Sequence, residues 1–548
     1  MRISEIFNRL WRRGRDTLQR AGNAAGVTRE FKDIFEINGM PAFRQFYEFG
    51  VWIWLWLYKG LYVPWHVIPA TTVDNAKATR QLYRMNTPKA VCAELASLVW
   101  GEQTEIHVSM KGRAQDSAEG DETPDPLDEF VADVLDKNRF FEKMQELIEE
   151  MLALGGAAVK VWHDERRDSE GNALDGGDIR LGYCMADQFV PISWDNANIY
   201  EGVFISRRAK NGYYYTRLEY HKRSGETYII RNELYKADMQ KGAAGQNQDI
   251  LGVRCPLAEL YPWLEEETTI KSEDSFFSYV RTPIANNLDV NSPLGMSIYG
   301  NALETLHALD ICYDSFIREF RLGKKRIVVP SRFLRAVTDP QTGVMRRYFD
   351  PSDETYVGMP DDDKQMNGVQ DISVELRVEE HIGALNAFLS ILCLQLGFSA
   401  NTFSFDERGG LKTATEVVSE NSKTYKTIKT VQNQLAPMIE HVVKNIIDVA
   451  KLYGVEWKGQ KVEALAAGEY EVKVVFDDGV TQDRATNINE GVMLAGAGLL
   501  SKYKFLTDPK YGQGLTEEEA KAEIARIKQE NGVTVTEDQM RMFGGVGV

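Results

Sequence analysis

The sequence predicts an α+β fold, because segments with helical periodicity and segments with strand character occupy separate parts of the chain. Short β-branched and aromatic runs fill Gly156 to about Leu234 and are separated by turn-rich loops, as in an antiparallel sheet. Apolar residues then recur every three or four positions at about 293–322, 378–396 and 413–452. With 548 residues, 43% hydrophobic and 26% charged, the chain is long enough for several buried cores.

The N-terminal region combines a basic segment with a short apolar run. Residues 1–20 carry six Arg and apolar residues at helical spacing. This pattern predicts an amphipathic helix docked on its neighbour, with a scaffold, lipid or DNA contact as the alternative. The run Val51–Tyr58 is apolar and rich in Trp, but it is much shorter than the roughly 20 residues of a bilayer-spanning helix. We therefore expect a buried helix or an apolar subunit contact there.

Two helices are predicted before the strand-rich region. Residues 86–99 have one helical pattern, and residues 130–154 have a second that stops at Gly155 and Gly156. The segment 112–126 between them is acidic and rich in turn residues, so we expect a solvated loop.

Two later helices and the segment between them predict a stalk with a small tip. Ser292 and Pro293 supply a cap and a first-turn proline for a helix that ends at Gly323. Turn signals and strand-like flanks fill residues 324–374, which predicts an α/β tip. The second helix, over 378–396, returns from that tip.

A loop and a third long helix follow the stalk. The loop covers residues 398–410, and Thr413 with Glu416 forms a capping box at the predicted start of the helix. That helix extends to about residue 452, with a bend expected at Pro437.

The C-terminal part of the chain is predicted to contain one strand and a helical tail. Residues 469–476 alternate between apolar and polar side chains like a strand. Thr516 and Glu519 form a further capping box for the last helix, and residues 544–548 are expected to be poorly ordered.

Composition excludes several classes of protein. A formal charge of −17 argues against a protein that coats nucleic acid through a basic surface, but not against a pore through which DNA slides. The cysteines lie far apart, which makes disulfides or a zinc site unexpected and fits a reducing compartment. They are Cys92, Cys184, Cys255, Cys312 and Cys393. Arginines interrupt any signal-peptide core, so we expect the protein to stay in the cytoplasm where it is made.

Catalytic motifs are also missing from the sequence. The seven His are isolated and show no paired metal-ligand spacing. His307 is expected to be a structural histidine. Gly323, Lys324 and Lys325 lack the remaining residues of an ATP-binding phosphate loop. We expect no enzymatic activity and no cofactor.

Several long stretches resemble the portal, or head-to-tail connector, proteins of tailed double-stranded-DNA bacteriophages, especially the siphophage subfamily. They are RMNTPKAVCAELASLVW (84–100), YYYTRLEYHK with TYIIRNELYK, GMSIYGNALETLHALDICYDSFIREFRLGKKRIVVP (295–330) and TFSFDERGGLKTATEVVSENSKTYKT (402–427). They occur in the family's order over most of the chain. Residues 500–548 resemble the family more weakly.

The resemblance implies a portal fold in a dodecameric ring, and it gives names to the segments. These are the N-terminal region and β-rich wing (1–291), a stem helix (292–323), the clip (324–374), a second stem helix (375–397), the tunnel loop (398–411), a long helix joining channel to wing (412–454), and a wing strand with the helical crown (455–548).

The resemblance also implies a function and its partners. The ring would form the channel at the unique capsid vertex of the virion, assembled in the host cytoplasm. DNA would be packaged through it by the terminase large subunit and later ejected. Other implied partners are a head-completion adaptor, the major capsid protein and the scaffolding protein, with no membrane. The alternatives are another head-assembly protein, such as a minor capsid or adaptor component, and a packaging enzyme.

Candidate channel residues lie in the loop and on the third helix. Lys423, Lys426 and Lys429 repeat every three residues, so a ring would stack them into tiers of positive charge that contact phosphates without reading bases. The alternative is an ordinary solvated helix face or salt bridges between subunits. The loop candidates are Asn401, Arg408, Gly409, Gly410 and Lys412. The two glycines give the backbone freedom of a moving loop, or simply make a turn.

The tip carries a second set of candidates for contact with the terminase and the adaptor. Its basic members are Lys324, Lys325, Arg326, Arg346 and Arg347, and its acidic members are Asp361, Asp362 and Asp363. Mixed charge suits two successive, exchangeable partners. The solubility of an exposed tip explains the same charges. We expect the acidic run to be solvated rather than to bind a metal.

Overall fold

A computed structural model of the chain describes residues 50–71, 77–101, 104–110, 125–167, 173–196, 198–238, 251–272, 274–323, 327–330, 335–338, 345–348, 356–359, 370–371, 375–400, 402–404, 414–476, 484–507, 511 and 517–531. The chain divides into two compact units. Unit 1 is Met1–Arg408 with Lys423–Asp477, and unit 2 is Gly409–Ser422 with Asp478–Val548. The helix predicted over 1–20, both capping-box threonines and residues 544–548 lie outside the described residues. So does most of the loop predicted over 112–126.

Unit 1 begins with helices and one hairpin. The helices are α1 (Trp52–Tyr58), α2 (Val63–His66), α3 (Thr87–Val99), α4 (Pro126–Lys137) and α5 (Phe140–Leu154). Strands β1 (Val67–Thr71) and β2 (Lys77–Gln81) pair in antiparallel fashion. Helix α1 buries Ile53, Trp54, Leu55 and Leu57. This confirms the first of the two expectations for the apolar run, a buried helix.

The prediction of a single helix over 130–154 was wrong. Helices α4 and α5 are separate, and the chain turns at Asn138 and Arg139, where Arg139 has a positive φ of 50°. The amide of Asn138 ends α4, because it donates to Val134 O and to Ile179 O, both at 2.8 Å. Its Oδ1 accepts from Leu181 N at 3.0 Å. A tertiary contact with a strand therefore ends a helix that the apolar pattern would continue.

Strand β3 (Glu105–Met110) lies between α3 and α4. Two antiparallel sheets follow α5. Their strands are β4 (Gly156–Arg167), β5 (Ala173–Met185), β6 (Phe189–Asp195), β7 (Asn198–Lys210), β8 (Tyr213–Ser224), β9 (Thr227–Asp238), β10 (Val253–Cys255), β11 (Glu267–Lys271) and β12 (Phe277–Arg281). One sheet has the order β10-β9-β8-β7-β6, with β11 also on β9, and the other has the order β12-β4-β5. The strand-rich region thus extends past Leu234. The sequence did not predict β10, β11 and β12, because these strands are too short to show a clear alternation of apolar and polar residues.

Aromatic residues join the two sheets. The ring of Phe277 lies 5.5 Å from that of Phe189 and 5.4 Å from that of Phe204. These side chains belong to one continuous buried cluster that also includes the helices of unit 1. This cluster is the main core, and a smaller one forms around Tyr215, Leu234 and Leu257.

The stalk is present, but its first helix starts later than predicted. Helix α6 spans Leu303–Leu322 and α7 spans Val378–Leu396. The expectation of a helix from Pro293 was wrong, because Ser292 caps a turn instead: its Oγ accepts from Leu294 N at 3.2 Å. The fully buried Tyr299 then fixes the following turns by donating its hydroxyl to Trp54 O at 2.9 Å.

Between the stalk helices, the described residues of the tip are all in strands. They are β13 (Ile327–Pro330), β14 (Arg335–Thr338), β15 (Met345–Tyr348), β16 (Tyr356–Met359) and β17 (Gln370–Asp371). Strand β13 pairs with β16 in parallel and with β17 in antiparallel fashion, and β14 forms a hairpin with β15.

A 39-residue helix, α8 (Ala414–Leu452), follows, with Pro437 inside it. After it come β18 (Glu456–Trp457), β19 (Gln460–Lys461), α9 (Val462–Leu465) and β20 (Tyr470–Val475). Strand β20 confirms the predicted strand over 469–476, and it pairs with β3 from the start of the chain. Unit 2 contains α10 (Arg484–Gly496), α11 (Lys502–Thr507) and α12 (Glu517–Asn531). Mixed helix and sheet confirm the predicted α+β class.

Candidate functional site at the stalk

The two stalk helices run antiparallel. The rings of Phe316 and His381 lie 5.3 Å apart, and one step nearer the tip Arg377 Nη2 donates to Glu319 Oε2 at 2.9 Å. Residue numbers thus rise along α6 while they fall along α7. Leu309 on α6 and Leu385 and Leu389 on α7 are buried.

Two aspartates one turn apart attach the root of α6 to the segment that carries the β1-β2 hairpin. The carboxylate of Asp314 accepts hydrogen bonds from Arg80 Nη1 and Nη2, at 2.7 and 2.8 Å, and from Tyr83 N at 3.1 Å. Asp310 lies 3.0 Å from His66 Nε2 and accepts from Met85 N at 3.0 Å. Burial raises the pKa of Asp314, but the hydrogen bonds from Arg80 and from Tyr83 N, together with the charges of Arg80 and Arg318, outweigh burial and hold that pKa below its usual range.

The stalk exposes large apolar side chains. On α7 the side chain of Leu394 is 68% exposed, and on α6 that of Ile311 is 48% exposed. Phe320 and Leu322 on α6 and Ile391 on α7 are also exposed, as is Leu376 just before α7. Exposed large apolar residues in this number are typical of a protein contact surface.

The predicted lysines lie on the exposed side of α8. Lys423, Lys426 and Lys429 are exposed, while Ile428 and Val431 between and beyond them are buried. Lys423 also has a structural contact, because its Nζ donates to Leu394 O at 3.2 Å, near the end of α7. A lysine at that position satisfies a carbonyl that the helix leaves free and interacts favourably with the helix dipole.

Most of the other predicted site residues lie outside the described residues. These are Asn401, Arg408, Gly409, Gly410 and Lys412 of the loop, and Lys324, Lys325, Arg326, Asp361, Asp362 and Asp363 of the tip. Arg346 and Arg347 are in β15, in register with Val337 and Ala336 of β14.

Sequence reasoning missed the polar residues that hold the stalk in place. Asp310 and Asp314 lie four residues apart on the apolar side of α6. Two acidic residues at that spacing among residues that face the core could have predicted buried polar contacts. Thr424 and Thr427 on α8 were also overlooked, because threonines on a helix carry no distinctive pattern.

Within the described residues, no group of three or more His, Cys, Asp or Glu is arranged to hold a metal ion. The five cysteines, all described, are unpaired. Among the described helices, none combines the length and apolar character required to cross a bilayer.

Two long antiparallel helices, a segment with short strands between them, and antiparallel sheets define the chain as an α+β protein. A family model described as phage portal protein, SPP1 Gp6-like, matches residues 57–534. The chain therefore belongs to the phage portal protein family, in its SPP1 Gp6-like branch. This membership confirms the resemblance found in the sequence. No curated protein matches the chain.

Proposed function

We propose that twelve copies of this chain form the ring at the unique capsid vertex of a tailed phage. Double-stranded DNA enters the capsid through the ring during packaging and leaves through it at ejection. The protein acts as a channel and docking hub, and a partner ATPase supplies the energy. Membership of the portal family supports the portal role itself.

The exposed apolar surface of the stalk is the observation that carries the ring proposal. Leu394 and Ile391 on α7, together with Ile311 on α6, expose large hydrophobic side chains on a packed helix pair. Exposed apolar patches on a soluble protein are typical of contact surfaces. Neighbouring copies that pack stalk against stalk would bury these side chains, and a head-to-tail contact that closes on itself generates a ring.

The charge distribution supports passage of DNA without tight binding. With a net charge of −17, the chain as a whole has the same sign of charge as DNA, which opposes tight binding. Lys423, Lys426 and Lys429 are exposed on α8, and in a ring they would provide limited, sequence-independent phosphate contacts. The loop over 398–411, with Asn401, Arg408, Gly409, Gly410 and Lys412, is the proposed tunnel loop.

The tip over 324–374 is the proposed docking site for the terminase large subunit and then for the head-completion adaptor. Its charged residues of both signs suit partners that bind in turn and are exchanged. Residues 1–291 are the proposed N-terminal region and β-rich wing, which would meet the major capsid and scaffolding proteins.

Imaging of the purified full-length chain tests the ring proposal. Negative-stain electron microscopy, at high protein concentration or with scaffolding protein, is expected to display hollow rings, and native mass spectrometry is expected to give about twelve subunits. A polypeptide that stays monomeric under both conditions, or that forms only assemblies without a hole, would rule out the channel.

A further inference from the structure

The chain makes a tight turn where the stalk ends and the proposed tunnel loop begins. Helix α7 stops at Gly397, whose φ of +85° is in the left-handed region that favours glycine. Phe398 N then donates to Cys393 O at 2.8 Å. The ring of Phe398 is buried and lies 5.3 Å from that of Phe403. The first residues after α7 are thus folded back on the core.

Hydroxyl groups from the neighbouring helix α8 secure this turn. Thr427 Oγ1 donates to Gly397 O at 2.7 Å. Thr424 Oγ1 accepts from Ser399 N at 2.9 Å. Thr402 Oγ1 in turn donates to Ser399 O at 2.8 Å and lies 3.4 Å from Thr424 Oγ1. We call Thr402, Thr424 and Thr427 the threonine clamp.

Loss of a hydrogen bond of the threonine clamp is expected to destabilise the base of the loop. Ser399 and Thr424 are buried, so water does not readily replace a missing partner. Gly397 O is also among the carbonyls that a helix end leaves without an intrahelical partner. Lys423 contributes a further hydrogen bond at the end of α7, since its Nζ donates to Leu394 O. Side chains of α8 thus satisfy main-chain groups at the end of α7 and at the base of the loop.

We propose that Thr424 and Thr427 are positioning residues that fix the base of the loop after α7 and couple that helix to α8. This inference rests on the proposed function of the loop. The hydrogen bonds hold Gly397, Ser399 and Thr402 at the base of the loop. The two threonines act through the loop and do not themselves contact DNA.

Valine substitutions test the clamp, because valine keeps the shape of threonine and removes the hydroxyl. The test variant is Thr424→Val with Thr427→Val, in assembled full-length rings. The matched control is Thr430→Val: Thr430 is exposed on the same helix, and its hydroxyl donates at 2.7 Å to Lys426 O of its own helix. Hydrogen exchange of the peptide 397–404 is measured by mass spectrometry, and DNA retention is measured after packaging.

The double variant is expected to form rings, to exchange amide hydrogens in this peptide about tenfold faster, and to retain DNA poorly. The Thr430→Val rings are expected to behave like the parent. Unchanged exchange in the double variant overturns the clamp. Faster exchange with normal DNA retention overturns the positioning role.

Deletion of residues 400–409 separates failure of this inference from failure of the proposed function. If the deletion blocks DNA retention but the double variant does not, the loop keeps its proposed role and the clamp inference fails. If rings with the deletion package and retain DNA normally, the tunnel-loop assignment itself fails, and the positioning role fails with it.

Discussion

The carboxylate of Glu219 is almost completely buried in the six-stranded sheet, and three side chains contact it, two of them cationic. Lys160 Nζ on β4 lies 2.6 Å from Glu219 Oε2, Arg217 contacts the same oxygen, and His221 Nε2 lies 2.9 Å from Oε1. Burial raises the pKa of Glu219, but these partners outweigh burial and hold that pKa well below its usual range. Burial lowers the pKa of His221. A neutral His221 then donates to Glu219 and accepts from Tyr228, 2.8 Å away.

Asp314 is expected to matter more to stability than a surface acid. Replacement by Asn removes the charge that pairs with Arg80, whose side chain is 29% exposed, so the cost is expected to be about 2 kcal/mol, below that of a fully buried pair. Urea unfolding followed by tryptophan fluorescence measures it. Asp133→Asn is the control, because Asp133 pairs with Lys137 at the surface and is expected to change stability by less than about 0.5 kcal/mol. Equal effects of the two variants would contradict the structural role of Asp314.

The contribution of Asp314 to stability is expected to decrease at low pH. Because the pKa of Asp314 is lowered by folding, its contribution is fully present above the unfolded value of about 3.9 and is lost as pH falls through the lower folded value. The difference in stability between the parent and Asp314→Asn is therefore expected to shrink below about pH 4.

Helix ends and the turn before the stalk depend on backbone approaches that only glycine allows. Helix α5 ends at Gly155, with φ of +95°, and a Cβ there would stand 2.5 Å from Gly295 O. Gly295 is equally constrained, since its Cβ would stand 2.1 Å from Gly155 O. The end of α5 and the turn that leads to α6 therefore pack backbone against backbone.

Gly155→Ala is expected to destabilise unit 1 by about 3 kcal/mol, because the added methyl group meets main-chain atoms and the positive φ is strained as well. Gly212→Ala provides the control: Gly212 has a similar φ of +78°, but a Cβ there would have no atom within 4 Å. Its cost is expected to be about 1 kcal/mol, the strain alone. Thermal unfolding of both variants gives the comparison. A Gly155 variant no worse than the Gly212 variant would show that the close approach has no energetic role.

At the scale of the whole molecule, the proposed ring depends on the exposed apolar side chains of the stalk. The exposed apolar side chains of α6 and α7 are 45–68% exposed, so burying each in a subunit contact would contribute about half of the roughly 1.5–3 kcal/mol of a fully exposed side chain. Repeated at every junction of a closed ring, that gain would favour contact between neighbouring stalks.

Leu394→Glu is expected to break the ring into smaller species, because it places a charge in the proposed contact while keeping a good helix former. Val290→Glu is the control: Val290 is 85% exposed but lies outside the stalk, so its rings are expected to persist. Sizing by light scattering and negative-stain images distinguish the two. Rings of Leu394→Glu that are as stable as those of the control would place the subunit contact elsewhere.

The amino-acid sequence by itself determined the α+β class, the two stalk helices with the tip between them, the long helix after the loop, and the portal family. These features are local: apolar periodicity defines a helix, and glycines such as Gly155, Gly323 and Gly397 mark where it stops. The exposure of Lys423, Lys426 and Lys429 also follows from the spacing of apolar residues around them. Their contact with DNA, and the loop and tip residues of the candidate site, stay predictions.

Only the tertiary structure decided where α4 ends, where α6 begins, and that β20 pairs with β3. It also paired Asp310 and Asp314 with the hairpin segment and placed Thr424 and Thr427 against the end of α7. Each of these depends on two groups that are distant in sequence and satisfy each other's hydrogen bonds once the core has formed. A one-dimensional pattern indicates which residues become buried, but it does not specify which partner each buried polar group meets.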